Sequence, residues 1–209
     1  MAPKRVGCLD DTICKVLVNG LATRFCVQPR VARKFLPEDV EQWGKMCRLE
    51  GGDIMHAHDI VPKRMDGRDA SFVRVCELLS MSFQTNLSLS FPRQYEQLVD
   101  RNQHHQNLPE ELEPQTFFRQ LRYIVVIPIP KCKELKTNEP QNVCLAVIWQ
   151  VHAIARRELP IPFYSQSGAL DPTDIKSIQC VVGRVEDRGK WGLVDRSGPL
   201  AHAVFAEAD

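Results

Sequence analysis

The sequence predicts an α+β protein that is mainly β: a small antiparallel sheet or partly open barrel, entered through a short N-terminal helical module. Three observations lead there. Apolar residues recur at helical spacing near the start, at Ile13, Val16, Leu17, Leu21 and Phe25. Later runs follow strand logic: LRYIVVIPI (121–129) is apolar on both alternations, and NVCLAVIWQVHAI (142–154) alternates. Short turn signals separate such runs, as in small sheets and barrels.

Taken in order, residues 1–42 are expected to form the helical module. Asp11 or Thr12 caps a helix over 11–27, which Gly20 weakens in its middle. Pro37, followed by Glu38 and Asp39, opens a short second helix in LPEDVEQW, since acids favour a helix N-terminus. Residues 43–209 form the β domain. Gly51-Gly52-Asp53 turns a hairpin between two extended pieces, and residues 121–129 form a central strand with Pro128 near its end. In the next strand Leu145, Val147, Trp149 and Val151 share a buried face, while Gln150 and His152 lie on the open one. CVVGRVEDRGKWGLVDRSG gives two strands around Asp187-Arg188-Gly189-Lys190, with Gly189 able to take positive φ. A turn at Arg196-Ser197-Gly198-Pro199 leads to the last apolar piece. The core is expected on 121–129, 143–153 and 178–194.

Composition bounds the class. In 209 residues, 44% are hydrophobic and 25% charged, which is ordinary for one folded domain able to bury a core without staples. The net charge of +1 provides no global field for nucleic acid or anionic lipid. Cysteines stand at 8, 14, 26, 47, 76, 132, 144 and 180 with no CxxC pair, so zinc is not expected and buried, reduced thiols are. Reduced thiols fit a nuclear or cytoplasmic setting. No secretory signal is visible, and no uncharged run approaches the ~20 residues that span a bilayer.

The block VCELLSMSFQTNLSLSFPRQ (75–94) stands out for carrying two charges in a chain charged at one position in four. It reads as a β-hairpin, with Leu79, Met81 and Phe83 before a turn at 84–86 and Leu87, Leu89 and Phe91 after it. Omitting it instead joins RDASFVR (68–74) to YEQLVDRN (95–102). The chain then carries Trp43-Gly44-Lys45, Gly51-Gly52-Asp53, RDASFVR and IQCVVGRVEDRGKWGLVDRSG (178–198). With these motifs it resembles, from about residue 30 onward, the region downstream of the catalytic part of fungal Plavaka-like, CACTA-related transposases. Those proteins typically carry WGKxRxxxGGD, RDA(S/T)(F/Y)VRYE, LVDRN and IQCLVGRVxDRGxWxxxDRSG. Val75-Cys76-Glu77 is compatible with GTATGTGA, the typical start of a fungal intron, and Gln94 with a CAG acceptor. Pyrimidine-rich Ser, Leu and Phe codons fit the tract before it. We therefore favour the reading of 75–94 as a retained intron over the hairpin. The expectations are that Arg74 and Tyr95 lie close together, and that deleting the block raises stability and reduces aggregation.

Chemical candidates are each weighed against an ordinary role. His56 and His58 share a strand face and His104-His105 adds a second pair, but nothing in the spacing makes them converge on a metal. Asp53, Asp59 and Asp69 are the acids that a metal-dependent phosphoryl-transfer site would need. The resemblance places the catalytic core upstream, so these are read as turn and ion-pair residues. No nucleophile elbow or phosphate loop occurs. Catalytic residues, metal ligands and cofactors are thus expected to be none. Basic clusters remain at Arg30, Arg33 and Lys34, at Lys63, Arg64 and Arg68, and in the last hairpin. The last of these, Arg184, Arg188, Lys190 and Arg196, are the candidates for nucleic-acid contact, against a solvated, salt-bridged surface. The resemblance implies a non-catalytic accessory or interaction domain, its partners DNA or other transposition proteins. The alternative is a stand-alone chromatin-reader-like or nucleic-acid-binding β-barrel module; a reader's aromatic cage would draw on Trp149, Trp191 and Tyr164, although core packing is the ordinary role of both tryptophans.

Overall fold

The structure is a computed structural model that describes residues 5–47, 54–62, 69–75, 97–100, 112–115, 117–152, 154–156 and 159–195. In chain order its elements are β1 (Arg5–Cys8), α1 (Asp11–Phe25), α2 (Pro29–Ala32), a 3-10 turn (Arg33–Phe35), β2 (Asp39–Trp43), β3 (Lys45–Met46), β4 (Met55–His56) and β5 (Phe72–Val75). There follow β6 (Gln97–Asp100), β7 (Leu112–Gln115), β8 (Phe117–Ile129), β9 (Gln141–Val151), β10 (Ile154–Arg156), β11 (Leu159–Tyr164), β12 (Ser167–Asp174), β13 (Ile178–Asp187) and β14 (Lys190–Asp195). The protein is mainly β, as its sequence predicts.

Ten strands form one open antiparallel sheet in the order β1-β2-β8-β5-β13-β14-β11-β10, with β9 on the opposite edge of β8 and β12 beyond it. The hub is β8. Its first residues pair with β5 (Phe72↔Gln120) and its later ones with β2 (Trp43↔Ile124). Between those neighbours a turn closes the ladder: the backbone N–H of His58 and Asp59 donate to the carbonyls of Leu121 and Arg122 at 2.9 and 3.3 Å. The hairpin expected around 51–53 exists as β3 paired with β4, its turn lying outside the described residues.

The long helix forms where periodicity predicts, but its cap is Asp10, whose carboxylate accepts from the N–H of Ile13 at 2.9 Å. Asp11, expected as a cap, already belongs to the first turn. Leu17 and Leu21 are fully buried, each worth about 1.5–3 kcal/mol. Gly20 is no flaw in this helix. A Cβ there would stand 2.7 Å from Pro172 Cβ, so its absence lets α1 lie directly on β12.

Two expectations are corrected. The segment 36–43 forms no helix: residues 39–43 are β2, bonded to β1 and to β8. Val40 and Gln42 point inward at 2% and 1% exposure, a period of two that the N-terminal acids masked. Pairing on both edges outweighs the weak local helix signal. Strand β9 is not half-buried. Leu145 and Val147 pack with α1 and Val125, while Ala146 and Ile148 pack on the other face with Leu121, Val73 and Ile178. Trp149 joins neither cluster; like Gln150 it is half-buried, whereas His152 is exposed. With both faces covered, alternation reports only which cluster a side chain enters.

The core does rest on 121–129, 143–151 and 178–193, but α1 and β5 share it. The boundary drawn at residue 42 falls inside β2, and α1 packs into the same cluster as Val125, Ile127 and Leu145. Residues 76–94 and Tyr95 lie outside the described residues. Val75 does not: it is 2% exposed, opposite Phe117 and Ile178.

Candidate functional site

The final hairpin turns through Arg188 and Gly189, both at positive φ (50° and 76°), the signature of a tight two-residue β-turn that continues the strand twist. That turn sets the register: Arg184 faces Leu193 and Glu186 faces Trp191. Residues two apart share a face, so Arg184 and Trp191 become diagonal neighbours. On the far side of β14, Tyr164 of β11 faces Trp191.

Arg184 therefore does not reach outward. Its guanidinium carbon lies 3.9 Å from the centre of the Trp191 ring and 4.4 Å from that of Phe72. Its edge donates to the Tyr164 hydroxyl and to Asp69 Oδ2, both at 3.2 Å. Asp69 is held by its other oxygen, which accepts from the Ser71 N–H at 3.0 Å and the Ser71 hydroxyl at 2.5 Å. Gln120 Nε2 in turn donates to Ser71 Oγ at 3.3 Å and stands 3.1 Å from His58 Nδ1. Burial raises the Tyr164 phenol above its ordinary value, and the Arg184 charge and hydrogen bond pull it partly back.

The second tryptophan has its own arginine. Arg122 stands 4.5 Å over the Trp149 ring and grips Asp59 with two bonds of 2.7 and 2.9 Å. Trp149 Nε1 donates to the Gly168 carbonyl. Nearby, the Tyr123 phenol is raised by burial first, then by the charge of Asp59 and a hydrogen bond to it.

These positions separate the sequence candidates. Of the four basic residues of the last hairpin, Arg184 is enclosed, Arg188 and Lys190 are exposed, and Arg196 lies outside the described residues. Of the three cage aromatics, Trp191 and Tyr164 come together with Phe72, while Trp149 sits elsewhere. Asp59 and Asp69 each bond their own arginine, Arg122 and Arg184; Asp53, His104, His105, Lys63, Arg64 and Arg68 are outside the described residues. His56 lies on β4 and His58 in the turn after it, so they do not share a strand face. Among the described residues no group of three His, Cys, Asp or Glu is placed to hold a metal. Arg30, Arg33 and Lys34 are exposed, with Lys34 3.4 Å from Glu134.

The thiols differ from expectation. Of the seven described, Cys8, Cys26 and Cys47 are exposed and Cys14, Cys132, Cys144 and Cys180 half-buried; none is fully buried or in a disulfide. Strand ends and helix termini carry most of them, where side chains reach solvent. Cys8 is raised above its ordinary value by a hydrogen bond to the Asp39 carboxylate and by that charge.

Sequence reading missed Ser71, which stands 3.5 Å from His58 and bonds Asp69. These are the residue types of a hydrolytic triad, but Ser71 is 1% exposed and its hydroxyl proton points to the carboxylate. As placed, its oxygen has no room for a substrate. A separate shallow cleft of about 460 Å³ lies where β8 leads into β9, lined by Pro128, Ile129, Pro130, Pro140, Gln141 and Asn142. None of those side chains is titratable. No helix among the described residues is long and apolar enough to cross a membrane.

No family model matches the chain, and no curated protein or solved structure is significantly similar to it. What fold and site define is a class: a mainly β domain with an open antiparallel sheet, its polar seams built from arginines stacked on tryptophans and tied to aspartates.

Proposed function

We propose that this is a non-catalytic interaction domain of a transposon-derived protein, acting in the nucleus or cytoplasm, and that it meets its partner with the end of the β13–β14 hairpin. One observation carries the reading: residues 185–190 are exposed on both faces of the hairpin, with Val185 at 58% exposure beside the basic side chains of Arg188 and Lys190. The root is tied to β5, where Arg74 bonds Asp195 at 2.8 Å and Gln179 at 2.6 Å. A projecting arm with an open end suits contact with a phosphate backbone or a protein surface better than it suits chemistry. Glu186 and Asp187 on the same arm balance its charge, so any contact with nucleic acid is local and shallow.

The test is binding of the full chain to duplex DNA across a series of salt concentrations. If Arg188 and Lys190 each neutralise a phosphate, R188A/K190A flattens the slope of log K against log salt by about 1.8. An unchanged slope removes Arg188 and Lys190 as the phosphate contacts and with them the hairpin end as the DNA-binding surface; no DNA binding by the wild type removes nucleic acid and leaves a protein as the partner.

A further inference from the structure

We propose that the space walled by Phe72, Trp191 and Tyr164 is a guanidinium-recognition site that Arg184 closes in cis, and that an arginine side chain of a partner polypeptide enters it when Arg184 leaves. Phe72 on β5 and Trp191 on β14, the strands to either side of β13, bring their ring centres to 4.4 and 3.9 Å from the guanidinium carbon, so the space suits a flat cation. Two acceptors meet the edge of that cation: the Tyr164 hydroxyl and Asp69 Oδ2, each at 3.2 Å. A trimethylated ammonium fits between rings but offers no N–H, and would leave a buried phenol and a carboxylate without their donor. The site therefore selects arginine over trimethyllysine.

The walls and acceptors each have contacts besides Arg184. Ser71 holds the other oxygen of Asp69, and Gln120 holds Ser71. Tyr164 is set by its pairing with Trp191 and by the Phe72 ring 5.9 Å away. Arg184 is more exposed than Asp69, Tyr164 or Phe72, although its backbone stays paired with Leu193. Its side chain is 20% exposed, the ladder joining β13 to β5 ends at Val181, and the next residue, Val185, is 58% exposed. A site with preset acceptors and a departing occupant is a closed receptor, and its affinity is scaled by the fraction of molecules in which Arg184 has left.

The experiment uses the full chain as wild type, R184A and R184V, followed by NMR at the Trp191 indole. The probes are N-acetyl-arginine N-methylamide and its trimethyllysine counterpart. Both variants should bind the arginine probe saturably, at least about tenfold more tightly than the wild type, and more tightly than they bind trimethyllysine. Weaker wild-type binding, including none at concentrations that saturate R184A, supports closure by Arg184. Folded variants that ignore the arginine probe, variants that take trimethyllysine equally well, or a wild type that binds as tightly as R184A would overturn the proposal. Should neither variant fold, the wild type is titrated alone. Displacement then moves the Arg184 Nε–H and Trp191 indole signals together, and no movement up to the solubility limit overturns it.

Discussion

Asp59–Arg122–Trp149 and Asp69–Arg184–Trp191 use the same three residue types and arrive at different arrangements. Arg122 sits where the β8–β9 register shifts, between Leu121 and Tyr123. Freed from the regular ladder, it sends both bonds to one carboxylate and covers one ring with one face. Arg184 sits in an unbroken ladder, where cross-strand geometry delivers it against Trp191 and Phe72, and its bonds diverge to a phenol and a carboxylate. The same residue types thus close a two-bond ion pair where the ladder is irregular and fill an aromatic box where it is regular and a second ring and a phenol are at hand.

The largest expected effect separates the two sites by packing. Phe72 is 3% exposed, so Phe72→Ala should cost about 3–5 kcal/mol. Trp149 is half-buried under a single guanidinium, and Trp149→Ala should cost about 1–2 kcal/mol. Urea unfolding of both variants checks this, and equal losses would erase the distinction between a core wall and a surface stack.

Next comes the ion pair. Both side chains of the Arg122–Asp59 pair are about one-fifth exposed (21% and 19%). Asp59→Asn removes a two-bond charged contact and should cost about 1.5–3 kcal/mol, less at high salt.

The two tyrosines sharpen the contrast through titration. Burial and Asp59 raise Tyr123, so Asp59→Asn should bring its phenol down toward the ordinary 10.0. Burial raises Tyr164 while Arg184 lowers it, so Arg184→Val should push Tyr164 further up. Phenolate absorbance, assigned with Tyr→Phe variants, reads both shifts; movement in the same direction would contradict the assignment. A raised folded pKa means the native state keeps a proton that the unfolded state releases first. Stability is therefore full below pH 10.0 and falls as pH climbs from there through the folded values.

The smallest effect belongs to the hairpin end. Arg188 holds φ at 50°, a region asparagine tolerates better than arginine. Arg188→Asn should leave stability unchanged or raise it by at most ~0.5 kcal/mol, while weakening any phosphate contact made there. A clear loss of stability would mean that Arg188 contributes to the fold.

Much of the fold could be read in advance because its signals are local. The helical spacing of Ile13, Val16, Leu17 and Leu21 survives in α1, LRYIVVIPI lies within β8, and the turn at 187–190 stands where Gly189 placed it. The candidate site was half legible. A two-residue turn at Arg188-Gly189 already implies that Arg184 and Trp191 share a face, so that contact was available from counting. Phe72, Asp69 and Ser71 were not, since nothing local ties them to the hairpin.

By itself the sequence determined the elements whose residues interact within a few positions: one amphipathic helix, two long apolar strands, one tight hairpin and a chain near neutrality. Tertiary structure alone decided the rest. Residues 39–43 became a strand because β1 and β8 offered both edges, against acids that favour a helix start. Strand β9 became central because α1 covers one face and β5 with β13 supports the other. Arg184 became an enclosed cation because Asp69, 115 residues away in sequence, meets it across the sheet. Periodicity states which side chains share a face; which surface that face meets depends on register between distant strands, and register is set only when the whole sheet assembles.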